Sequence, residues 1–185
     1  PSLDPNLDIH FDADDLTNKK AIKTELLEEL HLEGVDKPLF VFIGRFTGQK
    51  GIDQILESLN TLASYPINIV ILGSGEKNYN DWFHALLGVH KNISITIGYN
   101  EALARRIYAA SDFLYMPSQY EPCGLNQMIA MKYGAIPIVR PVGGLKDSVC
   151  DFDGEFSDKK GKGITLENGN AQTFINATNK ALHLY

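Results

Sequence analysis

The sequence predicts an α/β domain built on a doubly wound parallel sheet of about six strands. Five apolar runs, at 38–43, 67–72, 92–97, 112–116 and 135–140, are separated by segments with helical spacing of apolar residues. The runs are apolar without alternation, which is typical of strands covered by helices on both faces. A chain of 185 residues with 44% hydrophobic content is long enough for one well-buried domain and too short for two.

The first 15 residues are expected to form a connector and not a packed element. They include two prolines and five aspartates, and they show no periodic apolar pattern. The chain begins with Pro instead of Met, so we also expect that it was cut from a longer protein.

One helix is expected on either side of the first strand. In the first helix, apolar residues recur at helical spacing at Ile22, Leu26, Leu27 and Leu30. Asp14 or Asp15 is the expected cap of this helix, and Gly34 marks its end. In the second helix, one face carries Ile52, Ile55, Leu56, Leu59 and Leu62.

The C-terminal part of the chain has weaker patterns. A strand near 163–166 would bring the sheet to six strands, and a final helix is expected near 171–183. The charged loop at 151–162, which precedes them, is expected to be mobile.

Composition and charge disfavour several classes of function. The net charge is −6 and the Lys and Arg residues form no basic stripe, which argues against a nucleic-acid or anionic-membrane partner. No apolar run approaches the length of a membrane span and no signal-peptide pattern is present, so we expect a soluble, unexported protein. Cys123 and Cys150 form no CxxC pair and no histidine has ligand spacing with them, so we expect reduced thiols and no structural metal.

The loop after the first strand carries two cations. In a doubly wound sheet, ligands bind beyond the carboxyl ends of the strands, so these loops are where chemistry is expected. Arg45 and Lys50 lie in the glycine-rich segment 44–51, just before a helix whose positive dipole end disfavours cations. Solvated cations are the common alternative, but such a local conflict is typical of functional use. We expect both side chains to converge on a diphosphate.

The loop after the fourth strand, at 117–127, leads into a helical run at 125–133. Backbone N–H groups freed at this helix start, together with Gly124, would form an anion site suited to phosphate. Glu121 precedes that site and could accept hydrogen bonds from sugar hydroxyls. Taken alone, Glu121 could equally cap the helix.

The other loops at this edge of the sheet carry weaker signals. Tyr99 follows the third strand, where its ring could stack on a base or cover the core. Gly143 and Gly144 follow the fifth strand at the start of a short helix, where a tight turn is an equally good interpretation. The segment 73–75 after the second strand is most simply a turn.

Taken together, in this order and spacing, these segments resemble the donor-site signatures of bacterial glycogen synthases and plant starch synthases. The resemblance is carried by Gly44, Arg45, Gln49, Lys50, Gly51, Tyr99, residues 121–125 and residues 143–145. Val142 stands where relatives commonly have Thr, so a hydroxyl contact beside the phosphates is not expected from this position. Ile129 stands where retaining transferases with other donors carry a second Glu, which favours the glycogen synthase branch.

The resemblance implies the C-terminal half of a GT-B glycosyltransferase. Residues 16–185 would be a Rossmann-like donor-binding domain and residues 1–15 an interdomain connector, and the N-terminal acceptor domain would be absent from this chain. In the family, the counterparts of Arg45 and Lys50 hold the diphosphate of ADP-glucose, and that of Glu121 binds glucosyl hydroxyls. The other implied substrate-binding residues are Tyr99, which packs on adenine, and Cys123, Gly124, Leu125, Asn126, Gly143 and Gly144, whose turns offer amides near the phosphates.

The implied reaction transfers glucose from ADP-glucose to the non-reducing end of an α-1,4-glucan with retention of configuration. It needs no metal or other cofactor, because preorganised cations and amides stabilise the departing nucleoside diphosphate. Its partners would be ADP-glucose, the α-glucan and the N-terminal domain of the same protein, in the bacterial cytoplasm or the plastid stroma. Without that domain, we expect this chain to bind nucleotide but not to catalyse.

Four alternatives stay open at this point. The chain could be the donor domain of another retaining GT-B transferase, or a non-catalytic nucleotide-binding module. A dinucleotide-dependent oxidoreductase is disfavoured, because Asn78 stands where the third glycine of GxGxxG would follow 73–75. A metal-dependent transferase would need a D-x-D motif at a strand end, whereas the two copies, at 12–14 and 151–153, lie in the connector and in the charged loop.

Overall fold

The computed structural model describes residues 1–152, 162–167 and 169–185. The strands are β1 (Leu39–Phe46), β2 (Asn68–Gly75), β3 (Ile93–Ile97), β4 (Phe113–Met116), β5 (Ile136–Val139), β6 (Cys150–Asp151) and β7 (Lys162–Thr165). The helices are α1 (Thr17–Glu29), α2 (Ile52–Leu62), α3 (Lys77–Leu86), α4 (Glu101–Ala110), α5 (Asn126–Lys132), α6 (Gly143–Ser148) and α7 (Ala171–Leu184), and a single 3₁₀ turn, Gly48–Lys50, precedes α2.

The strands form one sheet in the order β3-β2-β1-β4-β5-β7-β6, and all the strand pairs are parallel. The predicted doubly wound α/β fold is therefore confirmed. Within the described residues the sheet has seven strands and not the expected six, because the two-residue strand β6 is too short to give an apolar pattern. The strand order reverses between β1 and β4, and a ligand crevice is expected at the carboxyl ends of these two strands.

Alternate residues of the central strands face two separate hydrophobic clusters. In β1, Leu39 and Val41 pack with α1, α4 and α5 on one face, whereas Phe40 and Phe42 pack with α2, α3 and α7 on the other. Both faces of the strand are thus apolar, which explains why its sequence shows no alternation.

Strands β1 and β2 continue three residues beyond the predicted ends and stay paired up to Phe46 and Gly75. A Cβ added to Gly73 would lie 1.9 Å from the carbonyl oxygen of Gly44, and one added to Gly75 would lie 2.1 Å from that of Phe46. The prediction of a simple turn at 73–75 is therefore wrong. These glycines allow the two strands to approach closely at the edge of the crevice.

The end of α1 also differs from the prediction. The helix stops at Glu29, well before Gly34, and His31 adopts a left-handed φ of 56°. The amide of Leu32 donates to Leu27 O (2.8 Å) and that of His31 to Glu28 O (3.1 Å), which is the Schellman pattern. A non-glycine residue fills the position for which the sequence suggested Gly34.

At the other end of α1, the N-cap is Leu16, which makes no side-chain capping bond. The Asp15 carboxylate nevertheless accepts a hydrogen bond from the Thr17 amide at 2.9 Å. Asp15 thus accepts a hydrogen bond from the first amide of the helix, as a capping residue would, but it lies one position before the N-cap.

The N-terminal segment contains neither helix nor strand, as expected, but it does pack on the domain. Leu7 and Phe11 are buried in the cluster that contains α1, α4 and α5, and the Phe11 ring meets Tyr133 edge-on at 6.3 Å between centroids. The Tyr133 hydroxyl also donates to the Asp4 carboxylate. The expectation of an unpacked segment is therefore wrong, because two buried apolar side chains are enough to hold the segment on the domain. That the segment joins a second domain stays a prediction.

Two predictions concern the rest of the chain. The expected mobile loop at 151–162 falls mostly on residues outside the described ranges. None of the helices in the described part of the chain has the length and apolar character that a membrane crossing requires.

Candidate functional site

The loops that follow β1 and β4 are joined at the crevice. Gly51 has a left-handed φ of 75°, and an added Cβ would lie 2.3 Å from the carbonyl oxygen of Pro117. The Gln119 amide donates to Gln49 O at 2.8 Å, and the Gln49 side-chain amide donates to Tyr120 O at 3.0 Å. The 3₁₀ turn is therefore fixed against the loop after β4.

This junction brings Lys50 and Glu121 together. The Lys50 ammonium forms an ion pair with Glu121 Oε2, and the Ser118 hydroxyl donates to the same oxygen at 3.2 Å. The two paired side chains are largely buried, with 20% and 10% of their surfaces exposed. The alternative that Glu121 caps a helix is wrong, because the N-cap of α5 is Leu125.

The paired glycines after β5 lie against the same loop. Helix α6 begins at Gly143, as predicted, and this residue has a φ of 46°. An added Cβ would lie 2.2 Å from Glu121 O at Gly143 and 2.1 Å from Cys123 O at Gly144. The Gly144 amide donates to Glu121 O at 3.0 Å, so in this structure it holds the loop and is not free for a phosphate.

Substitution Gly144→Ala is therefore expected to destabilise the fold by about 1–3 kcal/mol. The added methyl would overlap the backbone of Cys123, which cannot move without moving the rest of its loop. Urea unfolding would measure the loss. Gly48→Ala is the matched control, since its nearest contact would be 3.1 Å, to the Tyr79 hydroxyl, against 2.1 Å to backbone at Gly144. Equal losses of stability in the two variants would contradict the expectation that the overlap with Cys123 at Gly144 is what destabilises the fold.

The start of α5 is held by two side-chain amides. Gly124 has a φ of 73°, and Asn126 Nδ2 donates to Ile43 O at 2.7 Å, which ties the helix to the end of β1. Gln127 Nε2 donates to Cys123 O and Gly124 O at 3.2 and 3.0 Å. Asn126 thus supports the site through the backbone of β1. Neither Gln127 nor Ser118 could be assigned a role from the sequence, because a single amide or hydroxyl in a loop has no pattern.

Two further predicted residues of this loop face solvent. The Leu125 side chain is 72% exposed, and Cys123 is exposed with a free thiol, as expected. Cys150 is also a free thiol.

A second group of predicted residues lines a cavity of about 300 Å³ next to this cluster. Its walls come from the carboxyl ends of β1, β2 and β3 and from α4 and α5, and they include Arg45, Tyr99, Asn126 and Ile129. The Arg45 guanidinium forms no hydrogen bond or ion pair with any residue that the structure describes. Tyr99 is 84% exposed, so the alternative that its ring covers the core is wrong.

The predicted site residues therefore fall into two adjoining groups. Lys50, Glu121 and the Gly143–Gly144 turn form a compact polar cluster, whereas Arg45 and Tyr99 border an open cavity. One group offers paired opposite charges with little exposure. The other offers a cation that has no partner among the described residues and an exposed ring around a concave surface, which suits a ligand with an anionic part and a flat part.

Neither D-x-D sequence has the setting of a metal site. Asp12 accepts hydrogen bonds from the amides of Asp14 and Asp15, each at 3.0 Å. Asp151 binds Lys180 at 2.8 Å, and Asp153 lies outside the described residues. Within the described ranges, no three His, Cys, Asp or Glu side chains are grouped as metal ligands. The independence from metal stays a prediction.

Comparison with known proteins assigns the family. Residues 24–185 match the family of glycosyl transferases group 1. The chain belongs to this family of glycosyltransferases. Glycogen synthase of Desulforudis audaxviator is 41% identical over 186 residues, which cover all of this chain and 37% of that protein. Soluble starch synthase 1 of Solanum tuberosum is 44% identical over 165 residues, which cover 88% of this chain and 26% of that protein.

Solved structures agree with this assignment. The catalytic domain of starch synthase IV from Arabidopsis thaliana, bound to ADP and acarbose, superposes on the whole glycosyltransferase chain with a TM-score of 0.93 and 36% identity. Anabaena HepE in complex with UDP-glucose shares the fold, with a TM-score of 0.67 and 19% identity over 88% of the chain. The resemblance to glycogen and starch synthases and the GT-B C-terminal fold are thus confirmed. The chain spans 39% of the starch synthase IV domain and 37% of the Desulforudis protein.

Proposed function

We propose that this domain binds the nucleotide sugar in a hexosyltransferase of the glycogen and starch synthase type. The reaction transfers glucose from ADP-glucose to the non-reducing end of an α-1,4-glucan, and the anomeric configuration is retained. The observation that carries this proposal is the buried pair of Lys50 and Glu121, which joins the loops after β1 and β4, together with the open cavity at the carboxyl ends of β1, β2 and β3. The ADP complex of the 36% identical starch synthase IV domain supports the choice of nucleotide.

The cations have the chemistry that the leaving group requires. Departure of a nucleoside diphosphate develops negative charge, and a fixed ammonium aimed at that charge lowers the barrier. Lys50 has three N–H donors, and one is engaged by Glu121, so the others can bind phosphate oxygens without loss of the ion pair. The guanidinium of Arg45, which has no partner among the described residues, supplies a second donor group. No metal is needed for this step.

Glu121 is suited to orient the glucosyl group. The hydrogen bonds that it receives from described residues, from Lys50 and Ser118, both end on Oε2. Oε1 is then available to accept from a sugar hydroxyl. Because the carboxylate is fixed by two neighbours, it would hold the reacting sugar in one orientation beside the diphosphate.

Arg45 and Tyr99 border the cavity that would receive the nucleotide. We propose that Arg45 binds the diphosphate and that the exposed Tyr99 ring stacks on the adenine. The turns around Gly124 and Gly143, and the exposed Cys123 and Leu125, would line the path of the glucosyl phosphate.

We further propose that this chain alone binds nucleotide but does not catalyse. The acceptor groove and the remaining catalytic groups would come from an N-terminal domain of the same protein, with residues 1–15 as the connector. The whole enzyme would act in a bacterial cytoplasm or a plastid stroma. Glucan synthesis by the purified 185-residue chain would disprove the requirement for the second domain.

Calorimetric titration of the chain with ADP, UDP, AMP and NAD tests the donor site. ADP is expected to bind, and Arg45→Ala or Lys50→Ala should each weaken binding by about 1.5–3 kcal/mol, as charge-assisted hydrogen bonds are lost. Lys20→Ala is the matched control, because Lys20 pairs with Asp36 on the surface, outside the cavity. Binding of NAD alone, or equal losses in all three variants, would overturn the assignment.

A further inference from the structure

Glu101 links the mouth of the cavity to its wall. Its Oε2 accepts a hydrogen bond from the Tyr99 hydroxyl at 2.6 Å, and its Oε1 accepts one from Arg105 Nε at 2.7 Å. All three residues line the cavity. Glu101 is also the first residue of α4, whose N-cap Asn100 accepts from the Leu103 amide at 2.9 Å. The carboxylate is therefore attached to a well-defined helix start.

Tyr99 has little else to fix its ring. The side chain is 84% exposed, and it follows Gly98, whose φ is 148° and around which no atom would contact an added Cβ within 4 Å. Within the described part of the chain, the bond to Glu101 is the hydrogen bond that restrains the Tyr99 hydroxyl. The orientation of this ring therefore depends on Glu101.

Glu101 is anchored on its other side through Arg105. The Arg105 Nε lies 4.0 Å from Asp4 Oδ2, and the Asp4 carboxylate accepts from the Tyr133 hydroxyl. Hydrogen bonds from Tyr99 and Arg105 lower the pKa of Glu101, and the bond to Glu101 raises the pKa of Tyr99. At neutral pH the pair is thus a carboxylate acceptor and a phenol donor, which is the combination that the 2.6 Å contact requires.

We propose that Glu101 is a positioning residue for the nucleotide: it holds the Tyr99 ring in the orientation in which a base entering the cavity stacks against it. The proposal rests on the proposed function, since it concerns the base half of the same site. A free tyrosine side chain must be ordered when the base binds, and this ordering lowers affinity. Glu101 removes that cost before binding. The effect concerns the base and not the diphosphate.

The test compares ADP with inorganic pyrophosphate, which has no base, by calorimetry. Glu101→Ala and Tyr99→Phe are each expected to weaken ADP binding about two- to tenfold, which corresponds to the ordering of one side chain. Neither should weaken pyrophosphate binding. The double variant should lose no more than either single variant, because both remove the same contact.

Glu29→Ala is the matched control. Glu29 pairs with Arg106 of α4 at 2.5 Å, and its carboxylate is exposed to a similar extent, 50% against 46% for Glu101. It does not line the cavity, so its removal should leave both affinities unchanged.

Three results would overturn the inference. Equal weakening of ADP and pyrophosphate would mean that Glu101 acts through general stability or through the diphosphate part of the site, and not through the base. Additive losses in the double variant would mean that it acts independently of Tyr99. An unchanged ADP affinity in Glu101→Ala would show that Glu101 does not position Tyr99 for the nucleotide, and it would leave the proposed donor site unaffected. Absence of ADP binding to the unsubstituted chain would instead reject the proposed function and this inference together.

Discussion

Substitution Lys50→Met in the whole protein that carries this domain is expected to lower kcat about 10²- to 10³-fold. This is the usual cost of removing one preorganised donor from a developing negative charge. The Lys50 ammonium is already fixed by Glu121 and is only 20% exposed, so in the proposed reaction it needs little reorganisation when the diphosphate departs. Initial rates of glucose transfer from ADP-glucose to glycogen, with both substrates saturating, measure the effect.

A loss of folding must be separated from a loss of catalysis in this experiment. Lys50→Met leaves the largely buried Glu121 carboxylate without its partner, which is itself destabilising. The double variant Lys50→Met with Glu121→Gln removes both charges, so it should recover thermal stability. Its activity should stay low because both residues belong to the proposed site, so a melting temperature of Lys50→Met well above the assay temperature is what shows that the lost rate is not lost folding. If the double variant recovers activity as well, or if Lys50→Met raises KM with kcat unchanged, then Lys50 contributes only to folding or to uniform binding of the donor.

The sequence was sufficient to predict that the loops carrying the candidate residues converge, because two physical rules act together. Strands such as β1 are apolar on both faces, for example at Phe40 and Val41, which predicts a parallel sheet. In a parallel sheet, the loops at one edge converge, so Lys50 and Glu121 could be expected to lie close although 71 residues separate them. The ion pair between them confirms that convergence.

Other features have no pattern from which they could be predicted. The Gly144 amide is engaged by Glu121 O, which depends on how two loops pack and not on either loop alone. Glu101 looks like an ordinary acidic residue in a first helical turn until Tyr99 and Arg105 are placed beside it. His31 takes a conformation that favours glycine because the Schellman hydrogen bonds hold it there. Each depends on contacts that only the folded chain defines.

The largest effect on stability is expected from Asp112→Ala, which should lower the free energy of unfolding by about 3–5 kcal/mol. Asp112 Oδ2 accepts from Lys23 Nζ at 2.6 Å and from the Leu39 amide at 2.7 Å. The Lys23 side chain is only 5% exposed. Removal of the carboxylate would leave an ammonium buried without a counter-charge and the first amide of β1 without an acceptor. Urea unfolding, with linear extrapolation to water, measures the loss.

The matched control is Asp36→Ala, which removes a carboxylate from another lysine of α1. Lys20 and Asp36 form their 2.8 Å pair in solvent, with 68% and 84% of their side chains exposed, so this variant should have nearly the stability of the unsubstituted chain. The double variant Lys23→Met with Asp112→Ala should recover much of the loss, because no buried charge then lacks a partner. If it is as unstable as Asp112→Ala alone, the cost comes from the Leu39 amide and not from Lys23. Comparison of Asp112→Ala with this double variant therefore separates the effect of the unpaired Lys23 ammonium from the effect of the unpaired Leu39 amide.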